Sequence, residues 1–339
     1  MKQVYIPRTG GPEVLEVRER PDPEPGPGEV RVKVEAAGVN FADIMARMGL
    51  YQDAPPLPSV VGYETAGVID QVGPGVVRSR VGEAVIAPTK FGGYSSHVLV
   101  KSEQAIVRPA QMSAEIGAAI PVVGLTAWMM IEEMGRVRQG DRVLVHSAGG
   151  GVGLMALDLI KRRGGIAVGT ASAKKHAELL ALGYDQLVDY TTQDYEEVLK
   201  KGPLFDLILD PVGGDSWAKG FRLLAPAGKL ICFGFSANNG GGTKSNIFTT
   251  IKAVSQIPWL LFNPVSLINA NKGIMGVNMA RLWDQPEKLG GWLQSLLQLW
   301  EEGVIRPRVH AAVPFSRAAE AHQLIHDRAN LGKIVLIPD

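Results

Sequence analysis

Between Ala148 and Gly153 the chain reads Ala-Gly-Gly-Gly-Val-Gly, and the residues on either side give that run a use. Arg142 to His146 is a short, β-branched apolar stretch of the kind that forms a buried parallel strand. After the glycines, Val152, Met155, Ala156, Leu159 and Ile160 recur at the spacing of one helix face, and Arg163-Gly164-Gly165 ends the pattern. Strand, bare turn and helix N-terminus together cradle a pyrophosphate: glycine lets the phosphates approach the backbone, and the helix offers N–H groups to their charge. A dinucleotide site built on Ala148, Gly150, Gly151, Val152 and Gly153 is the expectation.

The following strand, Ile166 to Thr170, selects the nucleotide. A carboxylate about twenty residues beyond the glycines would hold a ribose 2′-hydroxyl. No acid stands between Gly164 and Ala173, and Ser172, Lys174 and Lys175 come at the strand's end. A hydroxyl and two ammonium groups suit a 2′-phosphate, so the expected cofactor is NADP(H); the competing use of the lysines is the solvated start of a helix.

The rest of the chain must position that site. Up to about Pro121, short strands such as Val30–Val34, Gly67–Val72 and Glu83–Ala87 are separated by Pro-Gly turns, the pattern of a compact β-barrel. From Leu125 strands alternate with helices. Gln186–Asp189, Phe205–Asp210, Lys229–Gly234 and Gly273–Met275 join the two strands around the glycine turn, enough for a doubly wound parallel sheet in the order 3-2-1-4-5-6. Ligands sit at the carboxyl ends of such strands, which points to Gly213, Gly234, Phe235 and Ser236. A helix over Pro286–Gly303, a strand over Val309–Val313 and a helix over Ser316–Arg328 follow, and a closing strand, Lys333–Ile337, with nowhere to pair in that sheet, returns to the barrel.

Composition removes several classes of function. With 46% hydrophobic and 20% charged residues and a net charge of +1, there is no electrostatic case for nucleic acid or an anionic membrane. The most apolar stretch, Ile257 to Ile268, is broken by Pro258, Asn263, Pro264 and Ser266, so no membrane span is expected. Met1 to Ile6 is too short and polar for a signal peptide, and a single cysteine, Cys232, excludes an internal disulfide; the expected location is the cytoplasm. His322 and His326, spaced i, i+4, lack a third ligand and read as helix surface, His146 as a satisfied core histidine, and Cys232 as an inert thiol in an apolar strand.

Three stretches carry a resemblance that extends over essentially the whole chain: Gly38-Val39-Asn40-Phe41-Ala42-Asp43 with Gly49-Leu50-Tyr51, His146 to Gly153, and Asn330 to Leu336. The chain resembles the zinc-independent quinone oxidoreductase, zeta-crystallin-like group of the medium-chain dehydrogenase/reductases. Asn271 to Asn278 is similar to its vesicle amine transport homologue branch. The resemblance implies an α/β fold with a GroES-like β-barrel catalytic domain in residues 1–122, a Rossmann NADP(H) domain in 123–276, and a return to the catalytic domain in 277–339. Zinc alcohol dehydrogenases of this superfamily carry Cys where Asn40 stands and His where Tyr63 stands. An amide and a phenol are poor zinc donors, so no metal is expected, and the feasible chemistry is hydride delivery to a quinone or an α,β-unsaturated carbonyl compound.

By resemblance, Asn40 lies beside the nicotinamide and acceptor, with a turn-forming asparagine as the alternative use. Tyr51 matches the tyrosine that enoyl thioester reductases use as proton donor, with a lining aromatic as its alternative. Lys175 and Tyr190, with Ser172 and Lys333 as lesser candidates, match positions that hold the 2′-phosphate. Thr126 and Gly234-Phe235-Ser236 match positions near the carboxamide. Trp259, Leu260, Leu261 and Phe262 read as a cap on the cleft or a subunit surface, and a homodimer is expected from the family. Two rivals stand beside this reading: an enoyl thioester reductase, and a non-catalytic NADPH-binding protein that acts by association with lipid, nucleic acid or a partner.

Overall fold

The structure is a computed structural model, and residues 1–236 and 262–339 are described. Trp259, Leu260 and Leu261 lie outside the described residues. Two compact units emerge: Met1–Leu125 with Met279–Gly303 and Pro307–Asp339, and Thr126–Asn278 with Val304–Arg306.

In the first unit the strands are β1 (Lys2–Tyr5), β2 (Glu16–Glu19), β3 (Glu29–Val39), β4 (Glu64–Val72), β5 (Ala84–Pro88), β6 (His97–Lys101) and β7 (Ile106–Val107). β3 is five residues longer than its alternating stretch of sequence predicts at the C-terminal end, because Glu35 to Val39 continues the strand through small apolar residues that are buried almost without a break. It pairs antiparallel with β4 and with β6, and so becomes the unit's central strand. Val30, Val32 and Val34 send one face of β3 into a core with Ile69, Val85, Tyr94, Val98 and Phe315.

The second unit holds β8 (Arg142–Val145), β9 (Ile166–Ala171), β10 (Gln186–Asp189), β11 (Phe205–Asp210), β12 (Leu224–Cys232) and β13 (Gly273–Gly276). They form one sheet in the order β10-β9-β8-β11-β12-β13, every pair parallel, which is the 3-2-1-4-5-6 doubly wound order. β12 begins five residues before its apolar run: Leu224 pairs with Phe205, and the register then shifts across a bulge where Ala227 takes φ 66°. Leu144, Val168, Ile208 and Leu230, on four adjacent strands, make its core with Phe205, Phe221 and Leu224.

β14 (Val309–Pro314) and β15 (Lys333–Ile337) complete the first unit. β15 pairs antiparallel with β3, Ile334 against Val39 and Leu336 against Ala37, and β14 lies parallel on its far side. The helix expected from Ser316 to Arg328 is shorter, Ala318–His326, preceded by a 3₁₀ turn at Phe315–Arg317. His322 is fully buried on it rather than at the surface, with Nε2 at 3.3 Å from the Tyr94 hydroxyl. Burial, with the nearby Arg47 charge acting in the same sense, pushes its imidazole down to about 3, so it stays neutral in the core.

Candidate functional site

The site residues of the first unit gather where β3 gives way to a helix. Asn40 caps the helix Phe41–Arg47 in extended conformation, and its N–H donates to Asp43 Oδ2 at 2.8 Å. Its amide is engaged on both sides: Nδ2 donates to Glu64 Oε1 at 2.8 Å, and Lys333 Nζ donates to Oδ1 at 2.5 Å. Lys333 and Glu64 are themselves paired at 2.6 Å, and the second Glu64 oxygen accepts the Val122 N–H at 2.7 Å. Exposure is 6% for Asn40, 0% for Glu64 and 4% for Lys333, so this is a buried, closed network. Lys333, a candidate for the nucleotide phosphate by resemblance, has its ammonium in that network, and Asn40 gives Glu64 one of its two Nδ2 hydrogens, so a carbonyl that Asn40 polarised would take the other.

Asp43 ties the network to the barrel. Its Oδ1 accepts the Gly62 N–H at 3.1 Å, and Oδ2 accepts from Asn40 N–H at 2.8 Å and from the Tyr94 hydroxyl at 3.0 Å. Complete burial still outweighs these donors and pushes its carboxyl up to about 7. The folded state therefore holds this proton where the unfolded chain has lost it. Stability contributed by the protonated form is present at low pH and is lost as pH rises from the unfolded value near 4 through about 7, by ~1.4 kcal/mol for each pKa unit of difference. Subtracting the pH–stability curve of an Asp43→Asn variant from that of the parent is expected to leave this descending limb; a flat difference would sink the assignment.

Tyr51 is half-buried beside them, its ring perpendicular to that of Tyr63 with centroids 6.4 Å apart. Burial raises its phenol above the ordinary tyrosine value, while the Tyr63 hydroxyl works the other way. Glu64, Asp43, Tyr63 and Tyr94 belong to the same cluster of the first unit, and the sequence by itself marks none of them as functional. The signal in the sequence is a carboxylate at the start of a strand whose next residues, Thr65-Ala66-Gly67-Val68, are small or apolar.

In the second unit, Ser147 leaves β8 with φ 57°, and the Gly150 N–H closes a turn on its carbonyl at 2.9 Å. The helix Gly151–Arg162 then starts at Gly150 with no side-chain cap. A Cβ placed on Gly153 would lie 2.6 Å from the Ala148 carbonyl oxygen and 2.7 Å from that of Ser147, so glycine alone allows the helix to start this close to the turn. Tyr184 braces the turn, its buried hydroxyl donating to Gly153 O at 3.0 Å and Ala148 O at 3.4 Å. This contact has no signature in the sequence.

Ser172 and Lys175 follow β9 in a single 3₁₀ turn, where the Lys175 N–H donates to Ser172 O at 2.9 Å. Tyr190 follows β10, the neighbouring strand, whose last residue Asp189 is in register with Ala171, the last of β9. These three residues are thus brought to one end of one strand pair. Asp189 adds a carboxylate there, engaged by its own loop through Thr191 Oγ1 at 2.6 Å and Thr192 Oγ1 at 3.0 Å, which hold it below the ordinary range.

At the ends of β11 and β12, the buried Asp210 accepts the Val212 N–H at 2.6 Å and the Ser216 hydroxyl at 2.6 Å. Gly234-Phe235-Ser236 folds over this loop, with Ser236 N–H on Pro211 O at 3.0 Å and Phe235 stacked on Trp217 at 5.5 Å. Gly213 (φ 83°) leaves room for the Phe235 ring, which a Cβ would meet at 2.1 Å. Thr126 is 7% exposed. His146 is only half satisfied, contrary to expectation: Nδ1 meets Thr170 Oγ1 at 3.0 Å, while Nε2 is buried without a partner against the Tyr195 ring. Burial pushes the Cys232 thiol up to about 12.

A GroES-like barrel paired in one chain with a glycine-turned, doubly wound sheet defines the medium-chain dehydrogenase/reductase class. Residues 26–127 match the family described as alcohol dehydrogenase GroES-like domain, and residues 182–336 that described as zinc-binding dehydrogenase. The chain is similar to the synaptic vesicle membrane protein VAT-1 homolog of Rattus norvegicus, at 38% identity over 90% of this chain and 76% of that protein. It is 33% identical to a quinone oxidoreductase of Pseudomonas aeruginosa, with 99% of each chain covered. The solved quinone oxidoreductase of Escherichia coli, complexed with NADPH, superposes with a TM-score of 0.85 at 30% identity over the whole of both chains. The chain belongs to the medium-chain dehydrogenase/reductase family, within its group of quinone oxidoreductases and VAT-1 homologues. Among the described residues, no three His, Cys, Asp or Glu come together as a metal site, and no helix is long and apolar enough to cross a membrane.

Proposed function

We propose that the chain is an NADPH-dependent, zinc-independent oxidoreductase that reduces a quinone or an α,β-unsaturated carbonyl compound. The observation that carries the reading is the glycine turn: an uncapped helix N-terminus, no space for a Cβ at Gly153, and Ser172, Lys175 and Tyr190 at the next strand ends. These residues fit a dinucleotide with a 2′-phosphate, and the NADPH-complexed relative and the quinone oxidoreductase relative support cofactor and reaction class. When bound, NADPH supplies the hydride. Gly150 to Gly153 hold the pyrophosphate by backbone N–H groups, and Lys175 and Tyr190 hold the 2′-phosphate. In the first unit, Tyr51 returns the proton that the reduced carbonyl compound needs, and the Asn40 amide, oriented by Glu64 and Lys333, meets the acceptor's oxygen.

The test is NADPH oxidation, followed by its absorbance, against quinones, enones and an enoyl-CoA. Turnover with NADPH, weak turnover with NADH and indifference to chelator are expected. Tyr51→Phe should lower turnover of an enone roughly 100-fold while NADPH affinity is kept. Activity confined to enoyl-CoA would favour the enoyl thioester reductase. Tight NADPH binding without turnover of any acceptor would favour the non-catalytic reading, which the vesicle-membrane name of the VAT-1 relatives supports.

A further inference from the structure

Tyr63 occupies a position that the functional reading leaves unused. It is 6% exposed, and its hydroxyl is shielded from water with no hydrogen-bond partner among the described residues. A buried donor left unsatisfied calls for an explanation in what it meets during function. Its backbone is anchored on both sides. Gly62 before it takes φ 101° with its N–H on Asp43, and the Tyr63 carbonyl accepts the Thr89 N–H at 2.8 Å. Its ring is wedged between Tyr51, perpendicular at 6.4 Å, and Phe91, tilted at 5.2 Å. The phenol cannot turn to water, and the hydroxyl-bearing side chain it packs against is Tyr51.

We propose that Tyr63 is a positioning residue for proton delivery: its hydroxyl donates a hydrogen bond to the Tyr51 oxygen as that phenol loses its proton. The inference rests on the reading of Tyr51 as proton donor. In that step hydride from NADPH adds to the electrophilic carbon of the acceptor and leaves an enolate. The Tyr51 O–H bond breaks, its proton forms the new O–H or C–H bond of the product, and the electron pair stays on Tyr51 as phenolate. Tyr63 keeps its own proton, and Tyr51 regains one from solvent, to which it is partly open.

The surrounding charges agree with this division of roles. Burial raises Tyr51, Asp53 and Asp43 raise it further, and the Tyr63 hydroxyl and Arg281 lower it; Arg281 is itself paired with Asp53 at 2.7 Å. Tyr63 is raised as well, by burial first and then by Asp43 and by Tyr51, and Tyr51, the more open of the two to solvent, is the phenol that gives up its proton.

The experiment uses the full chain labelled with 3-fluorotyrosine, whose phenol is more acidic and titrates before alkaline unfolding. Its seven tyrosines are followed by fluorine NMR, and the Tyr51 signal is the one missing from Tyr51→Phe. In Tyr63→Phe the Tyr51 midpoint is expected to rise by about one pH unit while the other tyrosines stay in place. Enone turnover should fall about tenfold at unchanged KM and NADPH affinity, and this loss should vanish when Tyr63→Phe is combined with Tyr51→Phe. An unmoved Tyr51 midpoint, or an equal loss of turnover in the Tyr51→Phe background, overturns the proposal. Should no acceptor be reduced at all, the functional reading fails by itself, and the Tyr51 midpoint still decides whether the two phenols are coupled.

Discussion

Gly153→Ala is expected to bind NADPH at least about tenfold more weakly than the parent chain, for the sake of a single methyl group. That methyl would sit 2.6 Å from Ala148 O and 2.7 Å from Ser147 O, both backbone atoms at the neck of the turn. Neither can swing aside as a side chain would, so the helix Gly151–Arg162 must back away from β8 and carry its N–H groups off the phosphates. Overpacking of this kind costs about 1–3 kcal/mol in stability as well. Gly291 supplies the contrast. It lies in the helix Pro286–Glu301 with nothing within 4 Å of an added Cβ, and there alanine should raise stability by about 0.5–1 kcal/mol and leave NADPH binding unchanged. Fluorescence titration with NADPH on both variants reads the difference, and parental affinity in Gly153→Ala would remove the turn from the site.

Lys333→Met should lower the thermal midpoint of the chain by about 4–7 °C, from a loss of about 3–5 kcal/mol. The substitution keeps the aliphatic stem and deletes the ammonium that pairs with Glu64 at 2.6 Å and donates to Asn40 at 2.5 Å. What remains is a carboxylate with 0% exposure whose compensating charge is gone, and a desolvated lone ion costs more than the pair contributed. Adding Glu64→Gln removes the stranded charge and keeps a hydrogen-bonding side chain between Asn40 and the Val122 N–H. The double variant should therefore recover most of the midpoint. A Lys333→Met protein as stable as the parent would mean that the buried pair is not formed.

The two sites differ in how much of them the linear chain discloses. Residues 142–162 spell out the nucleotide turn because its physics is local: β-branched strand, glycines, then a helical apolar face, all within about six helical turns' worth of chain. The same alternation signals a doubly wound parallel sheet, and the six strands take the order 3-2-1-4-5-6 expected of one. The missing acid after β9, and Ser172 and Lys175 in its place, are likewise read from neighbours in sequence.

The cluster around Asn40 in the first unit was legible only in single letters. Asn40 and Tyr51 could be marked by resemblance, but nothing local says that Asn40 spends its amide on Glu64 and on Lys333, 293 positions away. That contact exists because the last strand, β15, pairs with β3 and sets Lys333 beside the end of β3, a pairing between the first and last parts of the chain. His322 shows the same limit: an i, i+4 histidine pair reads as helix surface, and only the packing of the helix Ala318–His326 against the barrel makes one of them core. Period and local propensity, short-range properties of the backbone, determined the fold class and the phosphate cradle. Which buried polar groups meet was decided by strand pairing across hundreds of residues, because charge and hydrogen-bond partners are chosen by proximity in space.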